Sequence, residues 1–146
     1  MSATITADRK RVWRALTIPD ELIRWDTTLL ALLDPISDFP SPGQQIRWRY
    51  RVGSVAIVIT QNIQEVRLHE HIRSKISLGQ FRFDETYTLV DEIASPDRTQ
   101  LTLRTVTSNS TALVSGELDR FDVRQFTTEL IDSRLRSIQK WCENDH

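Results

Sequence analysis

The segment from Leu118 to Glu143, LDRFDVRQFTTELIDSRLRSIQKWCE, decides the fold. At about 100° per residue, Val123, Phe126, Leu130, Ile131, Leu135, Ile138, Trp141 and Cys142 gather into one broad apolar stripe. That spacing predicts a long C-terminal helix from near Leu118 to about Glu143. A helix with one apolar face needs a second layer to lie on, and the sequence before Asn109 supplies it with a different period.

Asp38-Phe-Pro-Ser-Pro-Gly43 is the densest turn signal in the chain, and strict alternation follows it. Ile46, Trp48, Tyr50 and Val52 fall on one side of a strand, with Arg47, Arg49 and Arg51 on the other. One sheet face is therefore covered and the other wet. Gly53-Ser54 turns the chain into Val55, Ile57, Ile59 and Ile63. A further strand places Leu68, Ile72, Ile76 and Leu78 opposite His69, His71, Arg73 and Lys75. Gly79-Gln80 leads to Phe81, Phe83, Tyr87 and Leu89, and Pro96-Asp97-Arg98 turns into Leu101 and Leu103. Strands joined by such short turns make an antiparallel meander.

Upstream, Thr4 to Thr6 reads as a short first strand. Asp8 is placed to cap a helix carrying Val12, Trp13 and Leu16, and Pro19 opens a second short helix with Leu22, Ile23 and Trp25 on its inner face. Helices first and last around an uninterrupted sheet specify an α+β layer, with the C-terminal stripe covering the apolar sheet face.

A chain of 146 residues suits one domain, residues 1–146, burying roughly 68–70% of the surface its unfolded form exposes. Nineteen Lys and Arg against 20 Asp and Glu leave a net charge of −1, so no overall field recruits nucleic acid or an anionic membrane. The apolar runs Leu29 to Leu33 and Val55 to Ile59 fall far short of a membrane span, and Met1-Ser2-Ala3-Thr4 lacks the regions of a signal peptide. A cytoplasmic protein, monomeric or homodimeric, is expected. The single cysteine, Cys142, lies on the helix's apolar side and is expected to be buried and inert.

Thr6-Ala7-Asp8 leading into Val12-Trp13-Arg14-Ala15-Leu16, then Pro19-Asp20, Trp25, Glu85-Thr86 and Arg98-Thr99, resembles the START-related (SRPBCC) superfamily. This group joins polyketide cyclases and dehydratases with activators of the heat-shock ATPase, and the resemblance covers nearly the whole chain. It implies a helix-grip fold, about seven strands curved around the C-terminal helix, commonly with a cavity between them. It also implies a range of activities: carriers of lipids and other apolar molecules, aromatic polyketide cyclases, and co-chaperone domains. The quoted motifs mark helix starts and packing positions, and fold alone does not choose among these activities.

Polar residues on the covered face are the functional signal. By strand parity Gln61 lies with Ile57 and Ile59, Glu70 and Ser74 with Ile72 and Ile76, and Glu85 between Phe83 and Tyr87. Thr105 and Thr107 continue the face of Leu101 and Leu103, while Thr127 and Arg134 interrupt the helical stripe. A dry core rarely accepts such a set, because an unpaired buried charge costs several kcal/mol.

One reading lines a cavity with these groups. Arg134 binds an anionic or carbonyl oxygen, and Glu85 or Glu70 serves as acid, base or acceptor. Trp48, Tyr50, Ile59, Phe81, Phe83, Tyr87, Leu103 and Leu130 hold an apolar ligand, with Ser74, Thr105 and Thr127 beside them. A carboxyl among aromatics is expected to titrate high, which suits proton transfer. The other reading pairs Arg134 with Glu85 or Glu70 and closes a small core.

The expected function is binding or transport of an apolar small molecule: a lipid, polyketide or aromatic metabolite. An alternative is a cyclase or dehydratase using Glu85, Arg134 and Tyr87, without metal or organic cofactor. A further alternative is a protein-interaction module. His69 and His71 share a strand face with Arg73 and Lys75 and have no third ligand at metal spacing, so no metal is expected. Arg47, Arg49, Arg51, Arg73, Lys75 and Arg82 read as a solvated sheet face rather than a nucleic-acid site.

Overall fold

The computed structural model describes residues 1–79, 81–107 and 123–144, with side chains at all of these except 96 and 123–127. Its elements run β1 (Ser2–Ile5), α1 (Arg9–Thr17), α2 (Pro19–Trp25), β2 (Leu29–Leu32), β3 (Gln45–Val52), β4 (Val55–Arg67), β5 (His71–Leu78), β6 (Phe81–Glu92), β7 (Ser95–Thr107) and α3 (Val123–Glu143). The strands form one seven-stranded antiparallel sheet in the order β1-β7-β6-β5-β4-β3-β2. This is the α+β helix-grip arrangement, with β1 and β2 as its edges.

Local chemistry sets the helix ends as the sequence predicts. Asp8 Oδ1 accepts the Arg11 amide at 2.8 Å, satisfying one of the donors that the first turn of α1 leaves open. Pro19 starts α2, where a missing N–H costs nothing. The Trp25 indole donates to the Ala15 carbonyl at 2.7 Å and fixes α2 against α1.

The alternation in β3 becomes alternate burial, with Ile46, Trp48 and Tyr50 inside and Arg47, Arg49 and Arg51 exposed. Gly53, at φ 61°, makes the turn into β4 in a conformation that strains any residue with a Cβ. Three readings are corrected. Leu29–Leu32, which looked only like an apolar run, is the edge strand β2, and it pairs Leu29 with Tyr50 and Leu32 with Trp48. Four edge residues without alternation carry no period to detect.

The strand expected from Leu68 begins only at His71, and Leu68, His69 and Glu70 form the turn before it. The turn between β6 and β7 falls at Ile93-Ala94, while Pro96-Asp97-Arg98 sit inside β7 where the register jumps from Asp91–Thr99 to Glu92–Ser95. A bulge in β4, between Ile63 and Glu65, brings Val66 opposite Ile72.

The predicted C-terminal helix is present and ends at Glu143; its expected beginning near Leu118 lies outside the described residues. Its last turns are tied down by three bonds. Trp141 Nε1 donates to Glu21 at 2.7 Å, Gln139 Nε2 donates to the Thr4 carbonyl at 3.1 Å, and Glu143 accepts the Thr6 amide at 2.8 Å. Leu135, Ile138 and Cys142 are buried in the core between sheet and helices. Burying a Leu or Ile side chain contributes about 1.5–3 kcal/mol, so Leu135 and Ile138 help to hold this end of α3 on the core. Among the described residues no helix is long and apolar enough to cross a membrane.

Candidate functional site

One turn nearer its start, α3 passes over a gap in the core. Leu130, Ile131 and Arg134 face the sheet there, across a cavity of about 100 Å³. The sheet contributes Trp48 and Tyr50 from β3, Ile59 and Gln61 from β4, Ile72, Ile76 and Leu78 from β5, Phe83, Glu85 and Tyr87 from β6, and Leu103 and Thr105 from β7. Leu16, Leu22, Asp26, Leu29 and Phe39 close the remaining side.

Arg134 is the centre of the polar wall. Its Nη1 donates to Glu85 Oε2 at 2.9 Å, and its Nε lies 3.2 Å from Asp26 Oδ2, an ion contact without hydrogen-bond alignment. The guanidinium also lies against the Trp25 and Tyr87 rings, 5.8 Å and 5.5 Å from their centroids. Burial works against its charge, but the fields of Tyr87, Glu85, Asp26 and Tyr50 outweigh that and hold it firmly protonated. Asp26, 3% exposed, follows the end of α2, and its Oδ1 accepts from the Thr28 amide at 3.0 Å and from the Thr28 hydroxyl.

Tyr87 differs from its neighbours. Its hydroxyl is buried and has no hydrogen-bond partner among the described residues. Burial pushes its phenol well above the usual tyrosine range, only partly countered by Arg134, so the group remains a neutral O–H donor. Tyr50 moves the same way, by burial first, with Arg134 and a hydrogen bond to Thr28 pulling it partly back. Farther along the sheet, Trp48 Nε1 donates to Gln61 Oε1 at 2.9 Å and Gln61 Nε2 donates to Ser74 Oγ at 3.1 Å. That ladder satisfies polar groups which would otherwise be stranded on an apolar face.

Of the residues singled out in the sequence, Trp48, Tyr50, Ile59, Phe83, Glu85, Tyr87, Leu103, Thr105, Leu130 and Arg134 line the cavity. Ser74 is buried behind Gln61 rather than at the wall, and Phe81 stacks on Phe83 with ring centres 6.1 Å apart. Glu70 is exposed in the turn before β5, so its expected place at the site is corrected. The side chain of Thr127 lies outside the described residues.

The second carboxylate on Arg134 is therefore Asp26, which strand parity could not find because it sits at a helix end. Its only sequence signal is a polar residue directly after Trp25, the last inward residue of α2. Phe39 was missed for a similar reason, being a loop residue that meets Trp48 edge-on at 6.2 Å.

Elsewhere, His69 does not share a strand face with His71. It occupies the turn at φ 63° with its ring edge-on to Trp13, whereas His71 lies in β5 with Nε2 3.7 Å from Glu65. Arg47 is held by Asp34 on the outer face at 2.8 Å. Cys142 is 7% exposed, and burial pushes its thiol up to about 12, which leaves it without thiolate character near neutrality.

Solved structures similar to this one share the whole fold. A START superfamily protein from Mycobacterium smegmatis aligns with TM-score 0.72 at 13% identity, over 98% of this chain and 94% of that one. A protein from Chromobacterium violaceum aligns with TM-score 0.69 at 13% identity, over 99% and 98%. A protein of the dynemicin biosynthetic locus aligns with TM-score 0.65 at 14% identity, over 97% of this chain and 46% of that one. Identities this low speak for the fold alone. No curated protein matches the chain. The family model for activator of Hsp90 ATPase homolog 1-like proteins matches residues 6–138, and with that match the chain belongs to this family.

Proposed function

We propose that the chain is a small-molecule binding domain whose cavity takes a compact, largely apolar body with a polar group set against Tyr87. The observation that carries this reading is the Tyr87 hydroxyl, buried at the wall of an apolar cavity with no hydrogen-bond partner among the described residues. A protein interior seldom leaves such a donor unused, because stranding it costs about 1–3 kcal/mol. A ligand acceptor would satisfy it.

The volume refines the ligand class. Small-molecule pockets commonly enclose about 300–1,000 Å³, whereas a dry cavity of about 150 Å³ holds benzene. At about 100 Å³, the space bounded by the described residues suits one ring or a short branched chain. A whole lipid or polyketide, both among the ligands expected from the sequence, would place only part of its length in this space. Membership of a START-related family supports a ligand-binding reading over one resting on the outer sheet face.

The cyclase-type alternative keeps one specific support. The Tyr87 hydroxyl and the Glu85 carboxylate line the same wall, which sets a hydrogen-bond donor and an acceptor toward one bound molecule.

Titration with benzyl alcohol, followed by Trp fluorescence and by amide chemical shifts, tests the binding reading. Saturable changes centred on Trp48, Tyr87 and Leu130, lost when Leu130→Trp fills the cavity, are expected. A response that does not saturate, or that survives Leu130→Trp, overturns it.

A further inference from the structure

The ionisable groups at the cavity wall do not balance. Among the described lining residues there are two carboxylates, Asp26 and Glu85, and one guanidinium, Arg134. The two carboxylates are engaged to different degrees. Asp26 receives both the amide and the hydroxyl of Thr28 on one oxygen and faces Arg134 with the other. Glu85 uses only Oε2, toward Arg134, and its Oε1 has no hydrogen-bond partner among the described residues.

Of the two readings the sequence leaves open for Arg134, the pairing with Glu85 is the one present, and with Asp26 beside it the guanidinium is poorly placed to serve an incoming anion. An added carboxylate would be a third negative group around one positive charge. In a partly desolvated site that repulsion is several times stronger than in water.

From this imbalance we infer that the cavity selects a ligand carrying a protonated amine or a comparable N–H cation on a single-ring-sized apolar body. The inference rests on the small-molecule reading above and specifies its ligand class. The cation's N–H groups donate to Glu85 Oε1. Phe83 lines the same wall, and an aromatic face favours positive charge through its quadrupole, as the Tyr87 ring already does for Arg134. A ligand hydroxyl or ether close to the amine would take the Tyr87 O–H. An amine is thus the one simple head group that restores neutrality to the site without displacing Arg134.

Three probes of nearly equal shape decide the matter on the unmodified protein: benzylammonium, benzyl alcohol and benzoate, titrated at neutral pH and low salt by isothermal calorimetry. The amine is expected to bind at least about tenfold tighter than the alcohol, a modest return for one unit of net charge, with benzoate weakest. Glu85→Gln, which keeps the shape and an acceptor for Arg134, should remove the amine's advantage, so that amine and alcohol bind that variant equally well.

Equal affinities for amine and alcohol, or tightest binding of benzoate, overturn the charge assignment and leave the small-molecule reading standing. If none of the three binds, the small-molecule reading falls and this inference with it.

Discussion

Arg134 on α3 donates to Glu85 on β6 at 2.9 Å, a direct polar link between the C-terminal helix and the sheet across the cavity. With Asp26 on its other side, the guanidinium is held by two carboxylates in a site where it is only 15% exposed.

Removing it should therefore cost more than a surface charge would. Arg134→Met leaves Asp26 and Glu85 close together and unpaired, with an expected loss of about 3–5 kcal/mol in urea denaturation. Adding Glu85→Gln to that variant removes one of the two stranded charges and should recover part of the loss. Additive losses in the double variant would show that the two side chains do not act as a pair.

Tyr87→Phe should behave in the opposite way. The hydroxyl has no partner among the described residues, so deleting it should change stability by less than about 1 kcal/mol, or raise it. Binding of a ligand with an acceptor, such as benzyl alcohol, should weaken by about three- to tenfold in the same variant. A large loss of stability would mean that the hydroxyl is bonded within the protein.

The Trp48–Gln61–Ser74 ladder gives a third test. Ser74 is 1% exposed, and Ser74→Ala strands the Gln61 amide donor on the covered face. A cost of about 1–3 kcal/mol is expected, accompanied by a change in Trp48 fluorescence as Gln61 reorients. An unchanged thermal midpoint would sink this account.

Acid should loosen the packing of α3 on α2. Burial alone would raise the Glu21 carboxyl, but hydrogen bonds from Trp141 and Arg11, with the Arg11 charge, hold it below its ordinary value. A carboxylate with a depressed folded-state pKa stabilises fully above its unfolded pKa and loses that contribution as pH falls through the folded one. Stability attributable to Glu21 should thus be present at neutrality and decline below about pH 4.3. Chemical denaturation of wild type and Glu21→Gln between pH 3 and pH 7, on the order of one point per unit, should show curves that converge at the acid end. A constant gap would contradict the assignment.

How much of this was legible beforehand varies by element, for physical reasons. Strong periods were read correctly: alternation in Ile46 to Val52 gave β3 and its covered face, and the stripe from Leu130 to Cys142 gave α3 and its inward side. The cap at Asp8 and the start at Pro19 were equally plain, because each depends on one residue's local bonding. Parity along one strand is enough to place Glu85 and Tyr87 on the same face, so half of the candidate site could be named.

Position between strands and at chain turns was not legible. Glu70 has the parity of an inward residue, but the chain turns before β5 begins, and it ends up exposed. Asp26 shows no periodic signal, yet the packing of α2 on α1 brings it to 3.2 Å from Arg134 and gives that arginine a second carboxylate neighbour. The sequence by itself determined which faces are apolar, through the periods of 2 and about 3.6 residues that backbone geometry imposes. Only the tertiary structure decided which charges meet, how large the cavity is and which hydroxyl is left unbonded, because those depend on side chains brought together from α2, β6 and α3.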